Sequence, residues 1–502
     1  MTRWPLGITP HNVTIAAWSL APVALYFSCV AFYHLKPVWL WTDFLVYVLI
    51  ASMTAFFVAA RRRAHLREPL TRIIQNRTAM VCLVVLAAFT AIGVLDSVHF
   101  RQPAAGAAAA GQTDRYAPEV TSVLDALMGP QHMQMETTYS APLSLVQYEK
   151  STVERADGVH ERVFPRLKFA GVGVAAGDAH TRDIVRRVVV GALSGLLATA
   201  AVAALFLAWY AYTQASPVRA TFRRVLRGEG DVPWRAMWVT LLALCMIVGV
   251  VVALADGYHV FGTDKVGKDV LYKSVKSIRT GLIIGTLTTL VMLPFAVLLG
   301  ILAGYLRGWV DDVIQYVYTT LSSIPGVLLI AASVLMLQTY IHIHPELFPT
   351  EAERADLRLL FLCIILGITS WTGLCRLIRG ETMKLCEADF LLAARGFGAH
   401  PLAIMLRHIL PNVMHIVLIS VVLDFSGLVL AEAVLSYVGV GVDPSTYSWG
   451  NMINAARLEM AREPMVWWPL LSAFVFMFVL VLAANLFADV VRDAFDPRLK
   501  RR

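Results

Sequence analysis

Charge is scarce in this chain. Only 16% of its 502 residues are Asp, Glu, Lys or Arg, whereas 58% are hydrophobic, and the mean hydropathy is +0.64. So little charge cannot cover the surface of a water-soluble globule, so the composition excludes one and requires lipid as solvent. Paired cysteines are also missing: Cys29, Cys82, Cys245, Cys363, Cys375 and Cys386 show no CxxC and no Cys/His spacing. That pattern supports neither a zinc site nor a disulfide framework. The net charge of +8 forms no basic stripe. Lys and Arg flank apolar runs instead, which points to membrane lipid and away from nucleic acid as partner. Before the first apolar run stands only Arg3 in a Pro-containing polar start, so that run reads as a retained helix and not a cleaved signal peptide.

Crossing the hydrocarbon core takes about 20 mostly apolar residues. About ten runs qualify: 15–33, 38–60, 79–95, 188–212, 236–255, 282–304, 313–337, 358–379, 410–437 and 466–490. The expected fold class is therefore an all-α polytopic membrane protein. Arg61, Arg62, Arg63, Arg67, Arg72 and Arg77 fill one short connection, and Arg219, Arg223, Arg224, Arg227 and Arg235 fill another. The positive-inside bias makes both cytoplasmic, and counting spans puts both termini there too. The connection 256–281, with Lys265, Lys268, Lys273, Lys276 and Arg279, falls outside by the same count and runs against the rule. The long loop 96–187 also falls outside. Ala104–Gly111 reads as a linker, while Leu143–Tyr148 and Val163–Val174 read as short strands of a small external domain, α+β or β-rich. The chain divides near Pro233 into an extension, 1–235, with four spans and this domain, and a six-span core, 236–502.

Between the eighth and ninth spans lies a cytoplasmic segment, 387–412, unusual for a loop. Phe390, Ala393, Ala394 and Phe397 recur at helical spacing, so a short helix would present two aromatic knobs separated by small residues. Gly396, Gly398 and Pro401 would end it abruptly. Pro411 suits the first turn of the following span.

The order Ala393-Ala394, Gly398, Leu410-Pro411 resembles the cytoplasmic EAA loop of binding-protein-dependent ABC importer permeases. The segments Gly262–Val270, Ala303–Asp311, Leu430–Gly441, Ser448–Gly450 and Asp496–Leu499 look like the dipeptide/oligopeptide permease branch, over about 236–502. The resemblance implies a permease subunit of the bacterial inner membrane with no catalysis of its own. ATP and Mg would be bound by two separate ABC ATPase subunits, a second permease would complete a heterodimer, and a periplasmic solute-binding protein would deliver peptides or peptide-like solutes. It assigns ATPase coupling to Glu387, Asp389, Phe390, Ala393, Ala394, Arg395, Gly398, Arg407, Leu410 and Pro411. Leu392 occupies a slot where the family usually has Glu, which implies an apolar docking contact there.

Gly262–Lys268 matches GxxxxGK. Asp269 replaces the magnesium-binding Ser or Thr and no strand precedes, so a nucleotide site is rejected in favour of a helix cap or a face for the binding protein. Asp43, Asp424 and Glu432 are carboxylates within spans and each needs a role. Asp424 and Glu432, two turns apart, are candidates for the translocation path or the permease interface, whereas Asp43 is expected to reach interfacial water. An ion-gradient-driven secondary transporter using these carboxylates is the alternative reading. Pro294 and Pro325 are expected to kink their helices, and His342 and His344 read as a solvated loop without a metal.

Overall fold

The computed structural model describes residues 36–62, 64–103, 116–117, 120–129, 134–154, 160–213, 232–344, 346, 348 and 350–495. The expected run 15–33, the Ala104–Gly111 linker, Arg219–Arg227 and the Asp496–Leu499 ending lie outside them. The described chain is mostly helix: α1 (Trp41–Arg62), α2 (Ala64–Gln75), α3 (Arg77–Asp96), α4 (Val123–Met128), α5 (Asp178–Thr213), α6 (Trp234–Ala255), α7 (Val270–Leu306) and α8 (Gly308–Ser323). There follow α9 (Gly326–Ile343), α10 (Glu351–Leu385), α11 (Asp389–Gly396), α12 (Pro401–Ile404), a π turn at Met405–Ile409, α13 (Leu410–Val438), α14 (Trp449–Glu459) and α15 (Trp468–Phe495).

Eight helices among the described residues are long and apolar enough to cross a bilayer: α3, α5, α6, α7, α9, α10, the continuous stretch Pro401–Val438, and α15. The apolar part of α1, Trp41–Ala55, is shorter. The expected run 313–337 straddles two helices, because Pro325 stands before α9 and does not bend a single helix. Pro294 does lie inside a helix, α7. His342 lies in the last turn of α9 and His344 caps it, so the pair is part of a helix end and not the loop expected. Among the described residues no cluster of His, Cys, Asp or Glu is arranged to hold a metal.

The bundle is organised on α7, 37 residues long, which lies along α10. Glycine sets how closely the two approach. A Cβ on Gly300 would stand 2.9 Å from the Cys375 carbonyl, and one on Gly304 would stand 2.6 Å from Thr382 Cβ. Small residues four apart let membrane helices pack backbone to backbone, where no hydrophobic effect drives association. The same device joins α5 to α6. A Cβ on Gly191 would meet the Gly249 carbonyl at 2.6 Å, and one on Gly195 the Cys245 carbonyl at 2.4 Å.

At the Val270 end of α7, residues before 236 are tied to α7 by buried ions. Arg279 reaches Asp43 Oδ1 at 2.5 Å and Thr42 Oγ1 at 3.1 Å, while His99 Nδ1 lies 2.7 Å from Asp43 Oδ2. Thr42 also bonds Asp356 of α10. Asp43 is thus buried, not at interfacial water. One helical turn earlier, Lys276 holds Asp125 at 2.8 Å and Asp96 at 3.2 Å, and Lys273 pairs with Asp264. Three of the five basic residues that run against the orientation rule therefore sit in ion pairs, two of them with carboxylates of the extension.

Between α3 and α5 the structure is irregular. β1 (Lys36–Val38) pairs antiparallel with β2 (His99–Arg101), and β2 with β3 (Thr121–Ser122). β4 (Ser151–Glu154) and β5 (His160–Val163) form a separate antiparallel hairpin. The strands expected at 143–148 and 163–174 are not there; that chain carries isolated bridges, Ser140 to Gln147 and Val146 to Arg166. Its residues pack on the core instead, Tyr139 and Tyr148 lying edge-on to Trp468 with ring centroids 6.4 and 4.9 Å away.

The Gly262–Lys268 turn leads into the N-terminus of α7, where Asp269 accepts from the Tyr272 N–H at 3.1 Å. The other Asp269 oxygen takes His259 Nδ1 at 2.7 Å, and His259 Nε2 lies 3.6 Å from Glu136. Burial alone would disfavour the imidazolium, but Asp269 and Glu136 outweigh it and raise His259 to about 9. Burial would likewise raise Glu136; His259 and the N–H groups of Lys168 and Phe169 overcome that and lower it. The stabilisation from His259 is full below its ordinary value of 6.5 and lost as pH rises through about 9. That from Glu136 is present above 4.5 and lost as pH falls below it. Amide protection across 134–154, exchange corrected for its intrinsic base catalysis, is therefore expected to fall between pH 6.5 and 9, and His259→Gln to flatten that response. An unchanged slope in the variant would assign it to other groups.

Candidate functional site

The opposite end of α7 carries the segment that the sequence singled out. Leu306 leads into Arg307 and Gly308, whose φ values of 56° and 58° reverse the chain at once into α8. Beside this turn, α10 ends at Leu385 and α11 follows after three residues. Asp389 lies in the first turn of α11 and Arg395 in the last, each complementing the helix dipole. Phe397 caps α11, and Gly398 at φ +73° turns the chain away. A side chain at that angle is strained, so glycine is the residue that permits the stop. His400 then caps the next helix by accepting the Leu402 N–H at 3.3 Å, with Pro401 in the first position.

From Pro401 the helix runs on without a loop. Pro411 is therefore an interior residue and not part of a first turn. Its ring crowds the carbonyl one turn back and its nitrogen gives no bond; the π turn at Met405–Ile409, just ahead of it, is where the ladder is relaxed. Leu410 and Pro411 are half-buried at this junction and Arg407 is exposed.

One side of the segment is anchored and the other is bare. Leu391, Ile404, Met405 and Ile409 are buried with Ile378 and Cys386. Arg395 lies over the Tyr305 ring at 4.7 Å, and Arg307 reaches Glu387 at 3.5 Å. Asp311 of α8 takes a two-pronged contact from Arg379 of α10, at 2.5 and 2.7 Å. On the bare side Phe390 is 46%, Leu392 50% and Phe397 91% exposed, with Leu402 and Leu406 beside them in the sequence and equally open. Ala393 is exposed and Ala394 half-buried between the aromatic residues. The result is an apolar surface of side chains on a rigid base, rimmed by Glu387 and Asp389. Exposed apolar patches with a polar rim mark sites of protein association. The anchors were missed from the sequence, although Met405, Ile409, Val413 and Val417 at steps of four already extend the α13 periodicity back past Leu410.

The structure separates Asp424 from Glu432. Glu432 is buried and accepts from Ser436 Oγ at 2.7 Å, with Gly450 against its Oε1. It braces α13 against the start of α14. Asp424 is half-exposed.

Comparison with known proteins gives the family. The family described as "Binding-protein-dependent transport system inner membrane component" matches residues 296–501, which contain the whole 387–412 segment. The dipeptide transport system permease protein DppC of Lactococcus lactis subsp. cremoris is 31% identical over 240 residues, 48% of this chain and 64% of that protein. The glutathione transport system permease protein GsiD of Pectobacterium atrosepticum is 32% identical over 243 residues, 48% of this chain and 73% of that protein. The oligopeptide transport system permease protein OppC of Haemophilus influenzae is 30% identical, covering 48% and 71%. The match thus takes in about half of this chain and under two thirds of the Lactococcus protein. With nearly three quarters of the Pectobacterium protein covered at that identity, the chain belongs to the family of binding-protein-dependent transport system inner membrane components.

Proposed function

We propose that this chain is the membrane permease subunit of an ATP-driven importer of peptides or peptide-like solutes in the bacterial inner membrane. The observation that carries it is the 389–411 segment: a short helix, anchored by Leu391 and stopped at Gly398, with Phe390 and Phe397 left bare. A separate ATPase docks on those aromatics and pushes through Pro401–Val438 into the bundle. ATP and Mg belong to two such ATPases, and this subunit hydrolyses nothing. A second permease completes the path, and a periplasmic binding protein delivers the solute. Both termini lie in the cytoplasm, and residues 96–187 lie on the periplasmic side, where they add contact area for the binding protein. The extension, 1–235, is a four-span addition to a six-span core.

Two of the three carboxylates of the rival ion-driven reading are held in contacts, Asp43 with Arg279 and His99 and Glu432 with Ser436, which leaves that reading the half-exposed Asp424.

Two experiments test the reading. Ala394→Glu with Gly398→Val is expected to abolish ATP-driven uptake while membrane insertion stays intact; full uptake by that variant sinks the coupling role. Replacing the β4–β5 hairpin, 151–163, by a short Gly/Ser link is expected to weaken binding-protein affinity and leave ATPase docking unchanged. Unaltered affinity would remove the hairpin from that interface.

A further inference from the structure

The chain that follows the Arg307–Gly308 turn is interrupted between two helices. α8 ends at Ser323, Ile324 is extended with φ −86° and ψ 130°, and α9 starts at Gly326 after Pro325, which has no N–H to give. The break stands beside the uncharged part of α10. Ser322 Oγ faces Thr372 Oγ1 at 3.5 Å, and Thr372 sits in the stretch 359–375 of α10, which holds no charge between Arg358 and Arg376. At 1.5 Å per residue, Thr372 is about 6 Å inside Arg376 and about 21 Å from Arg358.

Residues 322–328 are all exposed, and a Cβ on Gly326 would meet nothing within 4 Å. The main-chain bonds across the break run from Ile324 N to Leu321 O and from Leu328 N and Leu329 N to Pro325 O. Among the described residues none reaches the carbonyls of Ser322, Ser323 or Ile324. Ser323 Oγ is turned back on the Thr320 carbonyl at 2.7 Å. What the break presents is therefore mainly acceptors. Within the hydrocarbon region, irregular backbone is not tolerated against lipid tails; it is found where it is buried in protein or lines a water-filled cavity.

We propose that the 322–326 break is part of the wall of the solute path, its free carbonyls accepting hydrogen bonds from solutes that carry amide or ammonium N–H groups. This rests on the importer reading above and names a contact for its cargo. The test uses the full transporter in vesicles, with Ser322→Cys or Ser323→Cys treated with a hydrophilic, membrane-impermeant thiosulfonate, and the labelling of the parent chain subtracted. Val248→Cys, on the exposed face of α6, is the lipid-facing control. Because the thiolate reacts and forms only where water reaches, Ser323→Cys is expected to label at least about tenfold faster than Val248→Cys. Trialanine, rich in N–H donors, is expected to slow that labelling, and lactate, which has none, to leave it unchanged. Labelling as slow as at Val248→Cys, or fast labelling that trialanine does not slow, overturns the proposal. ATP-dependent uptake measured on the same vesicles reads the importer assignment separately: its loss in the intact parent assembly would sink that assignment, while water access at Ser323→Cys is read without reference to ATP.

Discussion

Arg279→Ala is expected to cost about 3–5 kcal/mol, the loss seen when one partner of a buried ion pair is removed. Arg279 serves two carboxylate neighbourhoods at once, Asp43 directly and Asp356 through Thr42. Its loss strands both in a setting with little water. Thermal melting in detergent should fall sharply, and the chain should accumulate poorly in the membrane. The double variant Asp43→Leu with Arg279→Met should recover much of the loss, because an apolar pair of similar volume carries no desolvation penalty. A melting curve for Arg279→Ala within about 1 kcal/mol of the parent, the range of an exposed pair, would mean that water screens the cluster.

At the other end of α7, Leu391→Ala and Phe397→Ala should fail in opposite ways. Leu391 is fully buried and Phe397 is 91% exposed, six residues apart on one short helix and its cap. Truncating the buried leucine is expected to cost roughly 2–5 kcal/mol of stability. Truncating the exposed phenylalanine should leave melting unchanged. If an ATPase groove receives that ring, its loss weakens docking by on the order of 2 kcal/mol, about 30-fold in affinity. Titrating ATPase onto the purified permease checks this. Equal docking by Phe397→Ala and the parent would move the contact elsewhere on the segment.

How far these features could be read from the sequence depends on their range. Long apolar runs are local, and seven of the expected spans fall within helices that could cross a bilayer. The short helix of the 387–412 segment was equally legible, since Phe390 to Phe397 and the Gly398 stop lie within nine residues. The run 313–337 was misplaced because hydropathy averages over Pro325, which has no N–H for the helix ladder. Pro411 was misread because a proline near the start of an apolar run looks like a first-turn residue. The apolar residues at steps of four, Met405, Ile409 and Val413, are the signal that the helix is already under way. Asp43 was beyond reach: its partner Arg279 is 236 residues away, and no local pattern announces such a pairing. Lys276 and Arg279, two of the five basic residues of 256–281, were misleading for the same reason, as their counter-charges Asp96, Asp125 and Asp43 lie more than 150 residues away. The strands between α3 and α5 were misplaced because segments of two to four residues leave little periodicity to read.

The unbroken course of Pro401–Val438 has a mechanical consequence. Twenty-nine residues follow the π turn, a rod of about 43 Å at 1.5 Å per residue. A tilt of about 5° at that turn would carry the Val438 end sideways by about 4 Å, comparable to the 3.8 Å between neighbouring Cα atoms. Near that end stand Glu432 and Ser436, against Gly450 and the start of α14. If an ATPase pushes on the 389–411 segment as proposed, the π turn is where such a tilt would start and the Glu432 brace is where it would be felt.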